Sequence, residues 1–148
     1  MVDFNKTETD IKNYIKTSFD TYLEKFGIAI PSDYVDDVLD LDVYTKNTTV
    51  FYDFDSIDFS TESFETQNQK LTLEICIVCR NGKSSDLRQK SRDYATAFYN
   101  WFYDKPCNRN FEGIIDWGTI DSVTFYDAVS GTKTIKIANL TLTLNLDD

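Results

Sequence analysis

Cys76 and Cys79, three positions apart, are the first residues of this 148-residue chain whose types and spacing could do chemistry. A C-x-x-C pair serves thiol–disulfide exchange when its first cysteine opens a helix, where the helix N-terminus stabilises the thiolate. Here the pair lies inside an alternating run, Leu71–Arg80, and residues three apart on a strand point to opposite faces. A zinc site would need two more ligands, with only Cys107 and carboxylates left to supply them. Both cysteines therefore read as small apolar strand residues of a protein kept in a reducing compartment. The chain contains no histidine, which excludes a Ser-His or Cys-His catalytic pair and any metal site built on imidazole.

The acidic residues are the next candidates. Asp53-Phe-Asp55-Ser-Ile-Asp58 has the opening spacing of a calcium loop, but Ile57 stands at the fifth position, where a ligand is needed, and Asp58 replaces the turn glycine. The segment reads instead as the polar face of a strand. Among 25 acids no pair stands out for general acid–base work. With five glycines there is neither a G-x-G-x-x-G nor a P-loop. Enzyme activity, a resident metal and a cofactor are therefore not expected.

Charge is distributed unevenly. Of the formal net charge of −10, nearly all arises between Asp33 and Glu65, where ten acids face one base, Lys46. Lys83, Arg88, Lys90 and Arg92 form the opposite extreme. A chain with pI ≈ 4.4 is poorly suited to gripping nucleic acid, because such affinity comes mainly from neutralising phosphates. It suits a solvated acidic face, a passage through which DNA slides without sticking, or pairing between oppositely charged faces of neighbouring copies.

These residues must be placed by secondary structure. Ile11, Tyr14, Ile15, Phe19, Tyr22, Leu23 and Phe26 recur at helical spacing, predicting an amphipathic helix over about residues 8–26, capped by Thr7 or Thr9 and ended by Gly27. The connection Gly27–Asp42 is acidic and could hide a short strand or a helical turn. Thr49–Phe59 and Leu71–Arg80 alternate as strands, joined by a polar hairpin connection over Ser60–Lys70. Asn81-Gly82 marks a turn. A second helix, about Ser85–Phe102, carries Leu87, Tyr94, Ala95, Phe98, Trp101 and Phe102 as its apolar stripe; Ser84 or Ser85 would cap it and Pro106 stops it. Gly118–Val129 and Thr134–Leu146 are strands. The apolar phase of the last strand switches from Ile135 and Ile137 to Leu140, Leu142, Leu144 and Leu146, which predicts a β-bulge near Ala138-Asn139. The expectation is one α+β domain over residues 1–148, a mainly antiparallel sheet with two amphipathic helices packed on one face, in the order α-β-β-α-β-β. No apolar run is long enough to span a membrane, and the N-terminal residues lack a basic-then-apolar leader pattern, so assembly in the cytoplasm with no membrane contact is expected.

The ordered pattern resembles the tail terminator (tail completion) proteins of long-tailed phages, of the lambda-like type. The matching segments are Thr9–Phe26, Thr49–Asp55, Thr66–Arg80 (Thr-Gln-Asn-Gln-Lys-Leu-Thr-Leu-Glu-Ile-Cys-Ile-Val-Cys-Arg), Ser84–Phe102 and Asp121–Leu146. They cover most of the chain as a succession of elements rather than as a diagnostic motif, and similar layouts occur in tail-tube and head–tail joining proteins. The acidic connection Pro31–Asn47 is longer than the family pattern.

The resemblance implies a virion structural protein: a homo-hexameric ring at the head-proximal end of the tail, which stops tail-tube polymerisation and joins the tube to the head connector. DNA would pass through its channel without specific binding. Its partners would be itself, the tail tube protein and the head–tail connector protein, and no catalytic residue is carried over. Under this reading the basic residues Lys83, Arg88, Lys90 and Arg92 face Asp33, Asp36, Asp37 and Asp40 of the neighbouring subunit. The loop residues Glu62, Glu65, Gln67, Asn68 and Lys70 stack on the last tube ring, and part of Asp33–Asp58 lines the channel. The alternatives are a tail-tube or other ring-forming tail or neck subunit, and an acidic cytosolic module that occupies a basic site on a partner.

Overall fold

The structure, a computed structural model, describes residues 3–36, 39–61 and 67–146. The chain runs α1 (Phe4–Lys25), β1 (Asp33–Val35), β2 (Thr48–Thr61), β3 (Gln67–Cys79), α2 (Ser84–Asp104), α3 (Pro106–Arg109), β4 (Trp117–Ser130) and β5 (Lys133–Leu146). The five strands form one mixed sheet in the order β1-β2-β3-β5-β4. Every pairing is antiparallel except β1 with β2.

The fold is thus α+β with a mainly antiparallel sheet, but the expected order lacked two short elements. β1 is three residues long and contributes one buried side chain, Val35, too little for a periodic signal. α3 is a single turn opened by Pro106 at its start, where the missing N–H of proline costs nothing.

α1 begins at Phe4, earlier than its apolar stripe suggests, because Asp3 rather than Thr7 or Thr9 caps it: the Asp3 carboxylate accepts from Lys6 N–H at 3.1 Å. Its end is as expected. Gly27 adopts φ 70°, and the N–H groups of Gly27 and Ile28 reach back to the carbonyls of Glu24 and Leu23, a paired closure that favours glycine. Ile11, Ile15, Phe19 and Leu23 are fully buried, whereas Phe26, expected on the same stripe, is 58% exposed. α2 starts after Lys83, which makes no side-chain capping bond, so neither Ser84 nor Ser85 is the cap.

The buried residues of α1 and α2 share one cluster with Val50 and Tyr52 of β2, Leu71, Leu73, Ile75, Ile77 and Cys79 of β3, and Leu140, Leu142 and Leu144 of β5. Trp101 joins the helices within it, donating from Nε1 to Ser18 Oγ at 2.9 Å. On the opposite face a smaller cluster gathers Val35, Phe51, Val78, Ile135 and Ile137, covered by Leu41 and Tyr44.

That second cluster removes the need for the bulge expected near Ala138-Asn139. β5 keeps continuous register with β3 through this region; Ile135 and Ile137 point to the smaller cluster, and Ala138 onward to the larger one. The register shifts lie elsewhere, between Phe54 and Ser56 in β2 and between Ile120 and Ser122 in β4. The hairpin connection is also shorter than expected. β2 runs to Thr61 and β3 begins at Gln67, because a ladder of backbone hydrogen bonds continues through polar residues that carry no hydrophobic alternation.

Candidate functional site

The C-x-x-C pair is divided by the sheet. Cys79 is fully buried in the larger cluster, while Cys76 packs against the smaller one with Sγ 2.9 Å from Asn139 Oδ1. Burial, the leading cause at both sites, pushes both thiols up to about 11. At neutral pH this favours the thiol over the nucleophilic thiolate at both positions.

The basic group at the start of α2 does not form one patch. Lys83 and Arg88 are exposed. Lys90 lines a groove with Tyr22, Phe26 and Tyr94, at the end of α1. Arg92 turns toward the sheet, its guanidinium 4.3 Å from the centre of the Phe125 ring, in a recess shared with Arg88, Asp127 and Lys136. Residues two apart on a helix point about 200° apart, so Lys90 cannot join Arg88 and Arg92.

The acidic connection is largely engaged within its own chain. Asp36 pairs with Lys12, and Asp33 lies 3.7 Å from Lys46. Asp40 accepts from the backbone N–H groups of Asp42 and Val43 at 3.0 and 3.1 Å, while Asp42 accepts from Ser130. Asp37 lies outside the described residues. Arg80, 5% exposed, fastens the connection to the sheet by donating from Nη1 to the carbonyls of Leu41 and Tyr44 at 2.6 and 3.1 Å. Of the residues expected in a stacking loop, Glu62 and Glu65 lie outside the described residues. Gln67, Asn68 and Lys70 belong to β3, not to a loop, and Lys70 is exposed opposite Asp58 of β2.

Two groups form that the sequence reading did not assemble. The first gathers Asp53, Asp55 and Glu74, whose carboxylate oxygens lie within 4.8 Å of one another. Glu74 stands directly opposite Asp53, Asp55 follows two residues along β2 at its register irregularity, and Asp58 stands opposite Lys70 further along. Burial, followed by hydrogen bonds that the protonated Asp55 carboxyl donates to Asp53 and Glu74 and by their charges, pushes the Asp55 carboxyl up to about 7. None of the three has an ion-pair partner among the described residues. The trio presents concentrated negative charge that a cation or a basic side chain would relieve.

The second group lies on the far side of the sheet. The Arg109 guanidinium sits 5.2 Å from the Tyr103 ring centre and 5.5 Å from that of Trp117, and Tyr99 continues the row at 4.8 Å from Tyr103. With Lys105 and Asp116, the Tyr103, Arg109 and Trp117 side chains line a groove of about 390 Å³. Tyr99, Tyr103 and Trp117 are 49%, 36% and 46% exposed. Their sequence signal is weak but real: Tyr99 and Tyr103 are four apart on α2 and fall off its apolar stripe, where exposed aromatics need a reason.

The sheet itself is unfinished at both edges. β1 covers β2 only from Thr49 to Phe51, leaving Tyr52–Thr61 without an outer neighbour among the described residues. β4 is the other edge, and its residues 121–127 are exposed on both faces. At the start of β4 two outward backbone groups are capped by side chains: Ile120 N–H donates to Tyr103 Oη at 2.9 Å, and Gly118 C=O accepts from Arg109 Nε at 3.0 Å. No helix among the described residues is long and apolar enough to cross a membrane. No protein-family model and no curated protein matches the chain.

Proposed function

We propose that this chain is a ring-forming structural subunit of a phage tail, acting as the terminator that caps the head-proximal end of the tail tube and joins it to the head connector. The observation that carries the reading is the sheet with two open edges, β2 beyond Phe51 and β4 from Asp121. A subunit of a closed ring needs two different surfaces that fit each other, one on each side, and unpaired strand edges are surfaces that proteins normally cover. The β2–β3 hairpin runs on through polar pairs as far as Thr61 and Gln67, which suits a contact with the adjacent tube ring. Six copies, each carrying a net charge of −10, would make a channel in which DNA is repelled rather than held.

Quantitative mass spectrometry of particles purified after phage or prophage induction tests this. The expected result is about one ring of this protein per tail, far below the tube subunit. Abundance equal to the tube subunit would make it the tube protein. Absence from particles, with free protein in the lysate, would overturn the virion reading in favour of an acidic binding module.

A further inference from the structure

The two groups described above lie toward opposite edges of one sheet: Asp53 and Glu74 on the face away from α1 and α2, and Tyr103 and Arg109 where side chains of α2 and α3 reach the outer edge of β4. Pairing partners followed straight across lead from Asp58 to Lys70, Asn145 and Trp117, and from Asp53 to Glu74, Thr141 and Ser122. Asp53 and Glu74 are therefore level with Ser122, two residues beyond Ile120, which Tyr103 caps, whereas Trp117 is level with Asp58. Since β2 and β3, β3 and β5, and β5 and β4 are each antiparallel, β4 runs opposite to β2. A second copy set beside the first would bring β2 against β4 in antiparallel sense with no slip along the strands.

Charge agrees with this placement. Lys105 and Arg109 have no ion-pair partner among the described residues, and neither do Asp53, Asp55 and Glu74; the one acid in the groove is Asp116. The capped backbone groups of Gly118 and Ile120 favour a contact through side chains at this height. Tyrosine, tryptophan and arginine are the residues that dominate protein–protein contacts when clustered.

We propose that the Asp53–Asp55–Glu74 side of one copy packs against the Tyr103–Lys105–Arg109–Trp117 surface of a second copy of this chain. The contact is heterologous, so repetition closes a ring when the rotation between copies divides a full turn. It rests on the ring reading and assigns that ring its subunit boundary, at a different place from the α2 start and the Asp33–Asp40 segment. The neighbour's cations would also offset the charges of Asp53 and Glu74, which add to burial in holding the Asp55 carboxyl high.

The test is native mass spectrometry of the full chain with two charge-reversed variants, K105E/R109E and D53K/D55K. Each alone is expected to assemble at least about tenfold less readily than wild type, a change of about 1.4 kcal/mol. Mixed in equal amounts they should restore assembly, because every boundary in an alternating ring again joins opposite charges. Circular dichroism checks that both variants fold. If K105E/R109E does not fold, then K105E and W117A, which leave the Arg109–Gly118 bond in place, are read instead. Variants that assemble as well as wild type would overturn this contact and leave the ring reading standing. A wild-type chain that stays monomeric at concentrations on the order of 1 mM would overturn both.

Discussion

On the face of the sheet under α1 and α2, Leu140, Leu142 and Leu144 of β5 are fully buried in one cluster with Phe98, Trp101 and Phe102. On the other face of the same strand, Ile135 and Ile137 are as well buried, yet their cover is irregular chain around Leu41 and Tyr44, held by the hydrogen bonds of Arg80. Beyond that short cover the second face turns polar, with Asp53, Asp55 and Glu74 facing solvent. One sheet thus serves two purposes. One face buries enough apolar surface to hold the fold, so the other is free to carry uncompensated charge.

The difference can be broken most severely from the helix side. Trp101→Ala removes a large buried side chain and its bond to Ser18, and is expected to cost about 3–5 kcal/mol, read as loss of most of the urea stability. Leu140→Ala and Ile137→Ala sharpen the contrast, since these residues are 0% and 1% exposed on opposite faces. Both lie in the range of about 2–5 kcal/mol for such truncations. Leu140 is expected near the top and Ile137 near the bottom, because an irregular cover collapses into a cavity more easily than two packed helices; denaturant melts of the pair decide it.

Arg80→Gln should cost about 1–3 kcal/mol by leaving the carbonyls of Leu41 and Tyr44 unpaired. Its signature is local, a loss of hydrogen-exchange protection in residues 43–49 greater than that in α2. The smallest effect concerns pH. With the Asp55 carboxyl raised from 3.8 to about 7, the folded chain holds more protons than the unfolded one across that interval, so stability falls as pH rises through it. Asp55→Asn should remove that slope and raise the unfolding free energy slightly at neutral pH, by less than about 1 kcal/mol for so exposed a group. A variant with an unchanged slope would show that the slope does not come from Asp55.

Much of the molecule was legible before folding. The stripes Ile11–Leu23 and Leu87–Phe102 reported two helices because an apolar face repeating every three to four residues has no other way to be buried together. The alternation in Leu71–Arg80 likewise placed Cys76 and Cys79 on opposite faces. The last strand exposed the limit of this reasoning. Its phase change reported that two sets of residues needed cover, and a bulge was inferred where the fold instead supplied a second small core.

The candidate site was less legible for the same reason. The acid-rich segment was visible, but Asp33 and Asp36 found their counter-charges within the chain, at Lys46 and Lys12, and Glu74 joined Asp53 through cross-strand register. Arg109 meets Tyr103 and Trp117 only because α3 turns the chain back onto the start of β4. The sequence by itself determined which faces are apolar, where the chain turns and how much charge it carries, since these follow from local spacing and residue type. The tertiary structure alone decided which charges remain uncompensated, which strand edges stay open and which of them lie level, because those depend on neighbours distant in sequence brought together by register.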